Sequence, residues 1–356
     1  MTNDTMTNDH IVNVVVIGVG RMGQHHARNY AAIPGYKLAG VVDMNAESAR
    51  KAAEAHGCRA FGTVEELLHW SRESKTPVHA ASVAVPTVHH RQVAEVMAAA
   101  GANLLIEKPL APTVADAQAI VDVARANGRI LQVGHTERFN PAYRALKKYQ
   151  LTPAFVEVHR ISPMTFRSID VGVVLDMMIH DIDLVAHLVK RPVADVRAVG
   201  VAVIGQHEDL ANARITFANG CVANLTASRL ALRTERKMRL FSPAGYVSVD
   251  YQKKAGAVIT KTANEKQLEF VRKEVREGRI TDLMQIDYKE YVKYEDLVIE
   301  DREPVRAELE NFLEAIRTHG AVPPEVTGED GLIAVDIASR ITRCIKEHTW
   351  EGVMPL

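Results

Sequence analysis

Six apolar runs alternate with helical patterns between residues 12 and 136, and this alternation constrains the fold more than any other feature of the chain. The runs are VNVVVIG (12–18), KLAGVVD (37–43), CRAFG (58–62), HAASVAV (79–85), NLLIEKP (103–109) and RILQVGHT (129–136). Between them lie a helix through about residue 32, AESARKAAEAHG closed by Gly57, TVEELLHWS with Thr63 and Glu66 at capping-box spacing, and helices over about 89–100 and 114–127. Strands that are apolar on both faces must be covered on both faces. Helical crossovers supply that cover, so the pattern predicts a doubly wound α/β domain with a parallel sheet and right-handed crossovers.

Beyond about residue 150 the rhythm changes. FVEVHRIS, VRAVGVAVIG, ARITFA–NG–CVANLTAS, MRLFS–PAG–YVSVDYQ and AGAVIT read as strands joined by tight turns, with Asn219–Gly220 a hairpin signal, so a mainly antiparallel sheet is expected. A helix is predicted over 172–190, extended surface structure with a short helix over 261–302, and two late helices over about 303–319 and 328–347. A chain of 356 residues can bury the cores of two domains.

The net charge of −1, from 43 basic and 44 acidic residues, gives no broad attraction to nucleic acid or anionic membrane. Cys58, Cys221 and Cys344 are too few and too scattered for a disulfide framework or a cysteine-based zinc site. No apolar run approaches the roughly 20 residues of a membrane span. The opening MTNDTMTNDH lacks a basic n-region and an apolar h-region, so it reads as a disordered tail rather than a signal peptide. A cytoplasmic location is the expectation.

The first strand runs into IGVGRMG, which places Gly18, Gly20 and Gly23 in a G-x-G-x-x-G turn that opens a helix. Such glycines permit a tight turn, close approach of a pyrophosphate and close helix–sheet packing, and the helix N-terminus supplies amide donors. Asp43 ends the second strand, 20 residues after Gly23, where a carboxylate can bond a ribose diol and repel a 2′-phosphate. Dinucleotide binding follows, with NAD preferred over NADP. Arg21 and Met22, inside the motif, are expected at the cofactor.

Two further stretches end strands at the edge where ligands bind in such sheets. Glu107-Lys108-Pro109 closes the fifth run, which directs Lys108 toward the cofactor crevice, although an isolated lysine is usually a solvated surface charge. VAVPTVHH (83–90) could line the nicotinamide side through Pro86 and His90, or be a strand-to-helix turn with an exposed histidine pair.

LDMMIHDIDLVAHL (175–188) spaces Asp176, His180, Asp183 and His187 by four, three and four, on one face of a helix. A single helix at about 1.5 Å per residue spreads them over some 16 Å, too far for one ion. No HxH, HExxH or cysteine cluster offers an anchor, and no metal is expected. Asp183 and His187 fit a polar seam, where buried groups must be paired.

GVGRMG, Pro86…His90 as P-x-x-x-H, EKP at 107–109 and Asp176…His180 as D-x-x-x-H together resemble the Gfo/Idh/MocA oxidoreductases in order and spacing over nearly the whole chain. The resemblance implies an NAD-binding Rossmann domain over 11–137, after the tail at 1–10. It also implies a C-terminal α/β domain over 138–356, with a large open antiparallel sheet for substrate binding and for assembly as a homodimer or homotetramer. Lys108, Asp176 and His180 carry over as catalytic residues, and Glu107, Lys108, Pro86 and His90 are expected at the cofactor. The family's frequent glycine between the motif Asp and His is replaced here by Met177-Met178-Ile179.

VGHTERFNPA (133–142) and DVGVVLDMMIHDIDL (170–184) show a narrower similarity to the subgroup of UDP-N-acetylglucosamine 3-dehydrogenases. Histidine titrates near neutrality, so His180 is the expected general base. Asp176 would orient it, and Lys108 would stabilise the alkoxide-like charge. A nucleotide-sugar diphosphate needs cationic partners. Arg138, Arg160 and Arg167, expected to flank the domain junction, are candidates, set against the plainer reading of each as a surface or structural residue. Asn140 is a candidate for hydroxyl or amide recognition. The alternatives are a dehydrogenase of a free sugar or inositol, a glycosidase using bound NAD as a transient oxidant, and a non-catalytic NAD-binding protein.

Overall fold

A computed structural model describes residues 11–149, 151–165, 171–282 and 287–350. The tail at 1–10 and Arg167 lie outside the described residues. The chain forms two compact units. The first takes the chain up to Asn140 together with Ile182–Leu184 and Arg302–Arg340; the second takes Pro141–Asp181, Val185–Asp301 and the chain from Ile341.

The first unit alternates strand and helix: β1 (Val12–Ile17), α1 (Arg21–Ala32), β2 (Tyr36–Val42), α2 (Ala46–His56), β3 (Arg59–Phe61), α3 (Val64–Glu73), β4 (Ala80–Val83), α4 (His90–Ala99), β5 (Asn103–Glu107), α5 (Val114–Ala126) and β6 (Leu131–Gly134). The six strands lie parallel in the order β3-β2-β1-β4-β5-β6. The order reverses between β1 and β4, the switch point at which such sheets open a ligand crevice. Asn45, Thr63 and Thr113 cap α2, α3 and α5, each side chain accepting a first-turn amide, and Gly57 ends α2 at φ +65°. At α3 the expected box is altered. Thr63 Oγ1 accepts the Glu66 N–H at 3.2 Å, but the Glu66 carboxylate reaches back to the Gly62 N–H.

The second unit contains α6 (Pro141–Ala145), β7 (Phe155–Ile161), α7 (Ile179–Val189), β8 (Val193–Val201), β9 (Leu210–Phe217), β10 (Val222–Ser228), β11 (Glu235–Ser242), β12 (Gly245–Asp250), β13 (Ala255–Lys261), α8 (Glu265–Arg276) and β14 (Val292–Asp296). Its eight strands are ordered β14-β13-β12-β11-β7-β10-β9-β8. Every neighbouring pair is antiparallel except β7–β10. Burial alternates along β7, β9 and β10, so one face of the sheet is buried and the other more open. The Asn219–Gly220 turn joins β9 to β10 with Gly220 at φ +83°. Edge strand β14, in a segment the sequence assigned to surface structure, pairs with β13.

The late helices are α9 (Pro304–Arg317) and α10 (Gly328–Glu347). The expectation that 138–356 forms one C-terminal domain is corrected by their placement. Leu309, Phe312, Leu313 and Ile316 of α9 join the core of the first unit with Val12, Val14, Tyr30 and Leu38. Spacings of three and four put these residues on one helix face, and that face is buried where it meets the apolar surface of β1, α1 and β2. Among the described residues, no helix is long and apolar enough to cross a membrane.

Candidate active site

β1 ends in a turn built by its glycines. Gly18 adopts φ +87°, and a Cβ there would sit 2.7 Å from the Ala84 carbonyl oxygen; a Cβ on Gly23 would collide with the carbonyl oxygen of Gly18. Gly20 has open space at the Cβ position and caps α1 without any side-chain hydrogen bond. The first amides of α1 therefore keep their donor capacity, unlike those of α2, α3 and α5.

The cleft beside this turn holds about 720 Å³ and is lined by Gly18, Gly20, Met22, Asp43, Thr63, Pro86 and His89 among others. Asp43 is fixed within it: Oδ2 accepts the Val19 N–H and Oδ1 the Asn45 N–H, each at 2.8 Å. The residues fit a dinucleotide, with uncapped amides where a pyrophosphate would lie, a glycine leaving space beside them, and a carboxylate at the end of β2. Pro86 lies on the lining of the cleft. His90 does not: it is buried, with Nε2 3.0 Å from the Val85 carbonyl oxygen and Nδ1 3.2 Å from that of Leu110. The lining histidine is its neighbour His89. The pair HH carries no signal as to which ring the start of α4 turns inward.

Lys108 follows β5 directly, in a cis peptide with Pro109. The Glu107 carboxylate folds back to accept the Lys108 N–H at 3.2 Å. Its other oxygen lies 3.0 Å from His26 Nε2, while His26 Nδ1 lies 2.5 Å from Ser82 Oγ. Burial pushes the Glu107 carboxyl up, but the His26 bond and charge, with the charge of Lys108, hold it below the usual range. His26 went unrecognised in the sequence because its partners lie far away along the chain.

In the second unit, Asp176 and His180 are both half-buried. Asp176 sits in a π-turn over Val174–Met178, and His180 in the first turn of α7. Single π-turns inside helices are frequent at functional sites. Glu208 holds the start of this turn by accepting the Val174 N–H at 3.2 Å. Further along, Nδ1 of His187 lies 2.7 Å from the Tyr143 hydroxyl.

Two of the arginines expected to meet substrate phosphates are engaged elsewhere. Arg138, 1% exposed, binds Asp183 through Nε and Nη2 at 2.7 and 2.8 Å, and Asp330 lies 3.2 Å from its Nη2. Arg160, 4% exposed, binds Asp181 in the same two-pronged way, both distances 2.8 Å. A buried guanidinium is tolerated only when paired, and these pairs satisfy each fork. Asp181 lies off the 176–180–183–187 face and was missed in the sequence for that reason. Asn140 donates from Nδ2 to Glu137 Oε2 at 2.9 Å.

A Rossmann unit whose glycine turn borders a cleft with a carboxylate at the end of β2, and a second unit built on a large antiparallel sheet, define a dinucleotide-dependent oxidoreductase. Residues 12–135 match the model of the oxidoreductase family with an NAD-binding Rossmann fold, and 157–248 match the GFO/IDH/MocA C-terminal domain. A UDP-N-acetylglucosamine 3-dehydrogenase of Acidithiobacillus ferrooxidans is 37% identical over 308 residues, 86% of this chain and 89% of that one. Its crystal form superposes with a TM-score of 0.80 at 34% identity, covering 94% of this chain and 98% of that chain. A myo-inositol 2-dehydrogenase of Thermotoga maritima is 23% identical over 94% of this chain and 97% of its own. The chain belongs to the GFO/IDH/MocA oxidoreductase family. It is an NAD-dependent enzyme acting on CH–OH groups.

Proposed function

We propose that this enzyme oxidises the 3-hydroxyl of UDP-N-acetylglucosamine to the 3-keto sugar. The observation that carries the reading is the 37% identity, over 86% of the chain, with a dehydrogenase of that substrate. NAD, when bound, supplies the acceptor for the hydrogen that leaves carbon with its electron pair. The chain's own residues handle the proton. His180 takes it from the hydroxyl as general base, Asp176 orients the imidazole, and Lys108 stabilises the negative charge that grows on oxygen. Asn140 remains a proposed recognition residue for the sugar. The diphosphate must find partners other than Arg138 and Arg160, since both forks are closed on aspartates. The enzyme acts on a small molecule, in the cytoplasm, as a homodimer or homotetramer.

The test is turnover with NAD across UDP-N-acetylglucosamine, free N-acetylglucosamine and myo-inositol, followed by NADH absorbance and mass spectrometry. NADH formation with a product lighter by two hydrogens, from the UDP-sugar alone, is expected. Turnover of inositol or the free sugar alone would replace the substrate assignment.

A further inference from the structure

The first unit buries a polar cluster that the cofactor cleft does not use. Around it α1 places His26 and Tyr30, β4 Ser82, β5 Glu107 with Lys108 after it, β6 Gln132, the turn after β6 His135 and Thr136, and α9 Glu308. Ligand-type atoms of His26, Glu107 and Glu308 all lie within 4.8 Å of one another. Both carboxyls are buried, Glu107 at 6% exposure and Glu308 at 0%. Two carboxyls this close in a dry site do not both ionise. Their surroundings decide which keeps the proton. Glu107 faces His26 and accepts the Lys108 N–H, whereas the Glu308 carboxyl faces Glu107 and accepts the hydrogen bond of the Thr136 hydroxyl, 3.1 Å from its Oε2.

We propose that Glu308 is a positioning residue for Lys108: as a neutral acid it leaves Glu107 the single carboxylate, shared between His26 and the Lys108 backbone, and so fixes the strand end that carries the lysine. Burial, and after it the negative charge of Glu107, holds the Glu308 carboxyl well above the usual range. His135, also buried, is kept neutral by its burial and adds no competing positive charge. Gln132 donates to the Glu308 carbonyl oxygen at 3.0 Å and anchors α9 beside the cluster. The inference rests on the reading that Lys108 acts on the reacting hydroxyl.

The test compares two isosteric variants. Glu308→Gln copies the neutral acid, so kcat and its pH profile should stay within about twofold of the parent. Glu107→Gln removes the carboxylate, so kcat should fall on the order of tenfold to a hundredfold, with KM little changed and the alkaline limb of the profile moved to lower pH. Infrared spectroscopy reads the proton without any substrate: a protonated-carboxyl stretch at neutral pH should vanish in Glu308→Gln and persist in Glu107→Gln. A band lost in Glu107→Gln instead, equal damage from both variants, or one tightly bound divalent metal per chain would overturn the proposal. Lys108→Ala separates it from the reading beneath it. Full turnover in that variant defeats the role of Lys108, whereas an inactive Lys108→Ala beside an undamaged Glu107→Gln defeats the positioning alone.

Discussion

Arg138 closes on Asp183 through two parallel hydrogen bonds, Nε to Oδ2 at 2.7 Å and Nη2 to Oδ1 at 2.8 Å, with the side chains 1% and 0% exposed. An arginine so placed is a structural cation. Its Nε and Nη2 donors are both taken by Asp183.

Removing Asp183 takes the two-pronged partner from a buried guanidinium and leaves it facing Asp330 at 3.2 Å. Asp183→Ala is expected to destabilise the protein by about 3–5 kcal/mol, whereas the double replacement Arg138→Met/Asp183→Leu should recover most of the loss. Denaturant unfolding of both variants checks this. A raised KM for the nucleotide sugar in Arg138→Met, at parental stability, would return the arginine to the substrate.

Two of the glycines after β1 should separate by mechanism. A Cβ on Gly23 collides with the Gly18 carbonyl, so Gly23→Ala is expected to cost about 1–3 kcal/mol of stability along with NAD binding. Gly20 has space for a methyl group, but it lines the cleft. Gly20→Ala should therefore change stability by no more than about 0.5 kcal/mol while weakening NAD affinity, because the added carbon occupies pyrophosphate space. Thermal melts and NAD titration by calorimetry distinguish the two effects.

Stability should fall on mild acidification. Burial holds both His90 and His135 below the ordinary histidine range. A depressed folded value means that the unfolded chain binds the proton more readily, so their contribution is full above about pH 6.5 and is lost as pH drops toward the folded values. Replacing His135 with Met should flatten the decline of the melting midpoint between about pH 7 and pH 5. An unchanged slope would rule His135 out as its source. Glu308, whose folded value is raised, works in the opposite sense: its contribution is full below the unfolded carboxyl value near pH 4.3 and fades as pH rises.

Local patterns in the chain carried much of this protein. β-Branched runs, the Thr63 cap, the Asn219–Gly220 turn and the glycine turn ending at Gly23 all act within a few residues, and each appears in the structure where the sequence placed it. The spacing of EKP and D-x-x-x-H then identified the family, because those motifs are short and their order is distinctive. Tertiary structure alone decided which polar residues face one another. His26, Glu107 and Glu308 converge from three distant segments, and Arg138 and Arg160 choose Asp183 and Asp181 over a ligand. The physical reason is range. Backbone conformation is set by neighbours along the chain, whereas a buried charge is settled by whatever partner folding brings within hydrogen-bond reach, and α9 reached the first unit only after the whole second sheet had been traversed.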